Sequence, residues 1–363
     1  MSRTNADPIQ EPKAGFKLPR SILKWVAMGL VLSSAVVIII SLYSGVKFSD
    51  FERIGYLTFS LAAAASAARL LVQIVRFRVI TVGLADHPKM DLSGLARTRV
   101  SSEFISISTP AASSGVFLRT AWLAGKGVTG GTALWIGYFE VLIEVYVGVG
   151  LGIAAGVYAI LKGAVILGST IVVVALVLIS VYTVIFIIPA KRAIKVPHFV
   201  FTIAEYLVGG PRATALYLRA VVGSLNFSLS ARAILTRRTL PVLLKAVLLT
   251  IIEDVLGGVA LWLVLNAAGL KIDLLSSTIA AYGVATVAQL PVTIGGAGVT
   301  ELTMQAYLTA IYGFSSWAAI VIWRVATYQA LLAITGIVFT LFVRKATKGS
   351  GRVPVMEQPK NSG

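Results

Sequence analysis

Pro291-Val-Thr-Ile-Gly-Gly-Ala-Gly-Val-Thr-Glu301 sets a helix breaker, three glycines and a carboxylate inside a chain otherwise apolar enough for a lipid bilayer. Proline has no N–H to give a helix, and Gly295, Gly296 and Gly298 favour open or left-handed backbone. A helix over 282–290 is therefore expected to end here and a new one to start near Gly298. Non-helical backbone survives at membrane depth only where protein buries it or water reaches it, and a charged Glu301 on the first turn of the new helix tightens that condition. The stretch reads as the lining of a polar cavity. Glycine and proline also allow close helix packing in membranes, but packing alone does not call for the acid beside them.

The rest of the composition fits this reading. Of 363 residues, 57% are hydrophobic and 13% charged, with a mean hydropathy of +0.88, which defines an all-α, polytopic transmembrane helix bundle rather than a soluble protein. Cysteine is absent, so disulfides, thiol catalysis and thiolate metal sites are excluded. A net charge of +17 would point to nucleic acid in a soluble chain. Here the basic residues flank apolar runs, so anionic headgroups and the positive-inside rule account for them, and no nucleic-acid partner is expected.

Residues 1–21 read as a disordered basic cytoplasmic tail, 22–343 as one transmembrane domain and 344–363 as a second disordered basic tail. Regular spans are expected over 22–43, 54–75, 131–154, 164–188, 240–268, 276–290 and 317–343. Arg69 lies near the inner end of the second span, where it either snorkels to the headgroups or serves a function. Arg76, Arg78, Lys89, Arg97 and Arg99 then mark a cytoplasmic loop, and Val100, Phe104 and Ile107 fall on one face, as in a helix lying at the interface. Between 189 and 245 nine basic residues face the single acid Glu205. This is the strongest cytoplasmic marker in the chain, and Arg212, Arg219 and Arg232 there alternate with Leu216, Val222 and Leu229 as in basic helices on the inner leaflet.

The segment from Pro110 through Gly115 to Arg119 repeats the pattern of the opening stretch: proline, small residues, glycine, then a charge on the first helical turn. Each segment precedes a Gly-x-Ser/Thr turn, Gly127-Val-Thr129 and Gly313-Phe-Ser315, and then another apolar span. The first of these spans carries Glu140 and Glu144, whose i,i+4 spacing shares a face; the second carries Arg324. Charge order is exchanged between the halves, Arg119 before Glu140 but Glu301 before Arg324. Two Pro/Gly-interrupted segments, re-entrant or broken, in corresponding positions describe a candidate inverted repeat and point to a binding site near mid-membrane. With both tails basic, an even number of crossings is required, which favours an eighth crossing over 298–313; a re-entrant loop is the alternative.

Glu140, Glu144, Glu253, Asp254 and Glu301 are acids in apolar surroundings, with Arg119 and Arg324 as candidate partners. Glu253 and Asp254 are adjacent and cannot share one face, so one of them is expected to point into the bundle. Helix N-termini near Gly115 and Gly298 would offer N–H groups to a phosphate. His87 and His198 sit beside prolines in polar loops and read as structural. No nucleotide, metal or nucleophile motif appears, so no cofactor and no metal is expected, and an enzyme is the less favoured class.

The 291–301 stretch resembles the Pro-x-x-Gly-Gly-x-Gly-x-x-Glu signature of the lysylphosphatidylglycerol synthase transmembrane-region, or flippase-like, family, and Gly313 and Trp323-Arg324 are similarly placed to that family's glycine and arginine. The earlier half, with Trp122-Leu123, Lys126-Gly127-Val128-Thr129, Glu140 and Glu144, resembles the family's N-terminal half. It departs from the usual Gly-Glu-x-x-Arg, because Val116 follows Gly115. The likeness covers most of 20–345. It implies lipid handling by the membrane half without an aminoacyl transferase domain, and a separate transferase as partner.

The expected function is translocation of a phospholipid or other anionic, lipid-linked substrate between leaflets of the plasma membrane, with the N-terminus cytoplasmic. Membrane lipid is the expected partner. Pro110, Gly115, Arg119, Glu140, Glu144, Pro291, Gly295, Gly296, Gly298, Glu301 and Arg324 are the candidate binding residues, and Glu253 and Asp254 are secondary ones. The alternatives are a membrane glycosyltransferase or accessory protein acting on a lipid-linked sugar, and a small-solute secondary transporter.

Overall fold

The apolar runs are helices, and no strand occurs among the described residues. The computed structural model describes residues 20–85, 90–109, 114–192, 198, 201–202, 205, 210–234, 239–290 and 292–350. Pro110, Pro291, His87 and most of both tails lie outside these residues. The helices are α1 (Arg20–Tyr43), α2 (Phe48–Ile54), α3 (Tyr56–Leu84), α4 (Leu92–Ile107), α5 (Gly115–Gly125), α6 (Gly130–Leu161) and α7 (Val165–Tyr182). They continue as α8 (Gly210–Ile234), α9 (Leu240–Ala267), α10 (Leu274–Ala288), α11 (Val299–Tyr312), α12 (Trp317–Arg324) and α13 (Ala330–Ser350), the last two joined by a π-type turn over Val325–Gln329. The first helix thus starts at Arg20 and the last runs to Ser350.

Five helical stretches are long and apolar enough to cross a membrane: Tyr56–Leu84, Gly130–Leu161, Val165–Ile185, Leu240–Ala267 and Trp317–Arg344. A sixth arises if Val31–Tyr43 and Phe48–Ile54, bent by 92°, are taken together. Local chemistry sets the ends. Asp273 caps α10 by accepting the Ser276 N–H at 2.9 Å, Ser316 caps α12 by accepting the Ala319 N–H at 3.2 Å, and Gly313 closes α11 in the left-handed conformation. Small residues set the approach of the spans. A Cβ on Gly258 of α9 would lie 1.9 Å from Thr278 Oγ1 of α10, and one on Gly152 of α6 would lie 2.1 Å from Thr286 Oγ1 of α10, so both crossings depend on glycine.

Two pairs of short helices depart from simple spanning. α4 has 16 residues and α5 has 11, while α10 has 15 and α11 has 14. At 1.5 Å per residue each is roughly 16–24 Å long, short of a hydrocarbon core of about 30 Å. Each pair folds back on itself. The Gly115 N–H donates to Ser106 Oγ at 3.1 Å, and a Cβ on Gly115 would come within 2.2 Å of the Ser102 carbonyl, so the start of α5 lies against the middle of α4. In the second pair Ala280, Ala281 and Val284 of α10 share one buried cluster with Met304, Tyr307 and Leu308 of α11. The new helices begin where the sequence placed them, at Gly115 and just after Gly298, and each pair leads through a glycine turn into a long span.

The helix expected to lie at the interface is instead α4, packed into the bundle. Val100, Ser101, Ser102 and Phe104 are buried, and the Phe104 ring lies 5.1 Å from that of Phe339. In the basic stretch α8 packs on α6 by setting Phe227 edge-on to Trp135 at 5.3 Å. Arg232 is exposed there and donates to the Lys191 carbonyl at 2.6 Å.

Candidate functional site

The two helix breaks converge on Tyr328. Its hydroxyl donates to the carbonyl of Ile107, the last residue of α4, at 2.8 Å. Its ring supports the second break. Gly295 has φ +60, and a Cβ there would fall 2.0 Å from the Tyr328 oxygen, so only glycine meets both the conformation and the space. Arg324, one turn earlier, lies 4.0 Å over the same ring and donates to the Gly295 carbonyl. Arg324 Nε also donates to Glu301 Oε1 at 2.9 Å, and Glu301 Oε2 accepts the Gly298 N–H at 2.7 Å. One carboxylate therefore caps α11 and pairs with the arginine, fixing the glycine turn between them.

Beside this junction is a cavity of about 270 Å³. It is lined by Thr293, Gly295, Gly296 and Thr300 of the second break and by Glu103, Ser106, Ile107 and Thr109 at and just after the end of α4. Arg69 of α3, Tyr282 of α10 and Trp323, Arg324 and Tyr328 also line it. Three donors on lining residues are buried without a hydrogen-bond partner: Arg69 Nε, Thr293 Oγ1 and Trp323 Nε1. An acceptor-rich ligand would satisfy them.

Behind the α3 and α4 walls runs a chain of ion pairs. Glu140, fully buried, meets Arg119 at 3.0 Å, Arg99 at 2.9 Å and Arg76 at 3.3 Å. Arg99 also meets Glu103 at 2.8 Å and Glu144 at 3.2 Å, and Arg76 pairs with Glu144 as well. Arg76 reaches Glu253 at 2.6 Å, Gln73 Nε2 donates to the same acid at 2.6 Å, and Arg69 stands 3.5 Å from it. These charges tolerate burial because each guanidinium meets carboxylates.

Gly295, Gly296 and Arg324 line the cavity, and Glu301 joins them through its pair with Arg324. Arg119, Glu140 and Glu144 join one another in the ion chain behind the cavity. Gly115 and Gly298 do not offer free N–H groups, since each is already taken by Ser106 or Glu301. Glu253 and Asp254 are both buried, where only one was expected to point inward.

Arg76 and Arg99 are corrections, and of the two readings of Arg69 the inward one fits its place on the cavity wall. Rather than marking a loop, Arg76 and Arg99 lie inside the bundle, because α3 continues through Arg76 to Leu84 and α4 buries Arg99. A signal for them was present. Ser66, Arg69, Gln73 and Arg76 recur at three- and four-residue steps along one face of α3, a polar stripe on an otherwise apolar helix. Arg99 and Glu103 form an i,i+4 pair.

Outside the spans, Asp91 caps α4 by accepting the Gly94 N–H at 2.6 Å and meets Lys126 Nζ at 3.2 Å. The Lys126 hydrogen bond, then the Gly94 one, holds its carboxyl below the ordinary value.

Fold and site together define an integral, polytopic membrane protein with a cavity lined by two folded-back helix pairs and a buried chain of ion pairs that reaches it at Arg69 and Glu103. The family model described as Lysylphosphatidylglycerol synthase TM region matches residues 24–336, and the chain belongs to that family. No individually curated protein matches it.

Proposed function

We propose that the chain translocates an anionic phospholipid or lipid-linked phosphate between leaflets, the headgroup passing through the cavity while the acyl chains stay in the bilayer. One observation carries this reading: the cavity lies between the two helix breaks and presents three unpartnered buried donors, one of them on the arginine Arg69. A phosphate supplies the acceptors such donors lack. At about 270 Å³ the cavity has room for a phosphate and a small alcohol but not for acyl chains. Glu301 and Arg324 hold the break in shape, and Arg69 meets the ligand.

Helix counting supports the same reading. α6, α7 and α9 separate the two folded-back pairs, which makes three crossings between them, so the pairs enter from opposite faces. With α1, α3 and the α12–α13 stretch the proposed count is six crossings and two re-entrant pairs, in place of seven or eight spans. Six is even, so both basic tails and the basic 189–245 region share the cytoplasmic side of the plasma membrane. Membrane lipid is the partner, and a separate transferase would supply or use it.

The test is reconstitution into vesicles with labelled phosphatidylglycerol. Wild type is expected to equilibrate the label between leaflets, while Arg69→Ala, Arg324→Ala and Glu301→Gln each slow it by at least about tenfold, one lost charge-assisted contact. Equal rates in all four proteins, or no movement in any, reject the reading.

A further inference from the structure

Asp254 stands beside the ion chain but outside it. Arg69, Arg76, Arg99 and Arg119 are joined by ion pairs to Glu103, Glu140, Glu144 and Glu253, four cations against four anions, so the chain is neutral as it stands. Asp254 is a fifth acid. It is 5% exposed, makes no ion pair among the described residues, and its Oδ2 is buried without a hydrogen-bond partner. It lies on α9 next to Glu253, hydrogen-bonds to the Tyr282 hydroxyl of α10, and faces Arg69 and Arg76 of α3. Glu140 and Glu144 of α6, Glu103 and Arg99 of α4 and Arg119 of α5 are the remaining charged groups of the cluster. An ionised carboxylate held only by a tyrosine hydroxyl in such surroundings carries a desolvation cost that a cation or a proton removes, and in the arrangement seen no cation pairs with it among the described residues.

Arg69 links this acid to the cavity. It lines the cavity, its Nη2 stands 3.5 Å from both Glu253 Oε1 and the Tyr282 hydroxyl, and its Nε is unpartnered. Both contacts are at the long limit for a hydrogen bond, so the guanidinium is held loosely between the acids and the cavity.

We propose that Asp254 is a proton site of the transport cycle and that one proton moves with each anionic headgroup, an inference that rests on reading the cavity as a translocation site. In the arrangement seen, Arg69 leans toward Glu253 and Tyr282, is open to an anion, and leaves Asp254 to hold a proton. When the anion departs to the other leaflet, Arg69 is free to pair with Asp254. The O–H bond then breaks and the proton passes to water on that side. One negative headgroup and one proton sum to no net charge, which removes the electrostatic cost of carrying the headgroup through the bundle.

The full chain in vesicles containing labelled phosphatidylglycerol tests this, with an imposed pH difference. With one proton per lipid, a difference of one pH unit shifts the steady-state leaflet ratio of the label by about tenfold, because one unit is tenfold in proton activity. Asp254→Asn removes that shift and Asp254→Glu restores it, which separates a lost proton site from a lost fold. A second readout needs no lipid movement: the infrared carbonyl stretch of a protonated carboxylic acid is present in wild type and missing in Asp254→Asn. A leaflet ratio indifferent to the gradient in wild type, or an equal shift in Asp254→Asn, overturns the coupling. Absence of the infrared band overturns the proton site itself. Complete failure of wild type to move lipid ends the translocation reading and the coupling with it, while the band still reports the proton on Asp254.

Discussion

Replacing Glu140 by Gln removes the one carboxylate that three arginines share. Glu140 is fully buried and lies within 3.3 Å of Arg76, Arg99 and Arg119. Arg76 and Arg99 keep other acids, but Glu140 is the only ion-pair partner of Arg119 among the described residues, and Arg119 is 2% exposed. The substitution conserves volume, so the loss is electrostatic: a buried guanidinium without a counter-ion, inside a chain left with four cations and three anions. Breaking a buried pair from one side costs about 3–5 kcal/mol. Glu144→Gln is the internal control. That side chain is 32% exposed, and Arg76 and Arg99, which it meets, retain Glu140. Its loss is expected to cost about 1 kcal/mol, with water replacing part of the contact.

Equilibrium unfolding in mixed micelles, read by tryptophan fluorescence, compares the two. A third variant, Glu140→Gln with Arg119→Gln, removes the stranded cation with its partner and is expected to recover about 1–3 kcal/mol of the single-variant loss, a coupling of the size found between contacting charges. Equal losses for Glu140→Gln and Glu144→Gln, or a double variant whose loss is the plain sum of its singles, would refute the account of Glu140 as the hub.

Three further outcomes follow from the geometry. Gly295→Ala places a methyl group against Tyr328 at φ +60, and is expected to lower stability by about 1–3 kcal/mol, whereas Gly127→Ala, with φ +90 but open space, loses only the conformational part; thermal unfolding of the two separates clash from strain. Tyr328→Phe removes the tie between the two breaks and is expected to cost about 1 kcal/mol in unfolding while slowing vesicle lipid movement more than stability alone explains. The Asp91 carboxyl is held below its unfolded value, so the stability it contributes is complete above the unfolded value of about 3.9 and fades as pH falls through the folded one. Asp91→Asn should therefore lose that contribution at neutral pH and flatten the acid limb of the stability curve.

Much of the fold was legible because hydropathy reports it directly. The run over 240–268 became Leu240–Ala267, and the break before Gly298 became a turn with three positive-φ glycines, because proline and glycine act on the local backbone whatever packs around it. The ends of spans were less legible where charges lie inside. Arg76 ended the second span in a reading by composition, yet α3 runs on for two more turns, since the cost of burying that guanidinium is met by Glu140, Glu144 and Glu253 on helices far away in sequence. No local window contains those partners. Arg99 has Glu103 nearby in sequence but Glu140 and Glu144 far from it, and the role of Tyr328 is set by Ile107, 221 positions earlier.

The exchanged charge order also finds its physical reason in three dimensions. In the first half the arginine follows the break and the acid sits on the next long helix; in the second half the acid follows the break and the arginine sits on the next long helix. Each half closes its own pair, Arg119 with Glu140 at 3.0 Å and Glu301 with Arg324 at 2.9 Å, so each short helix is fastened to the span after it whichever sign comes first. The signs differ in what remains for the helix start. Glu301 accepts the Gly298 N–H, a bond that an arginine at the same position could not make, and in the first half Ser106 takes that place by accepting the Gly115 N–H. The acid at the second break thus serves as both cap and counter-ion, while the first break divides those tasks between Ser106 and Glu140. That division frees Arg119 to lie in the arginine-rich ion chain, whose far end is Arg69 at the cavity wall.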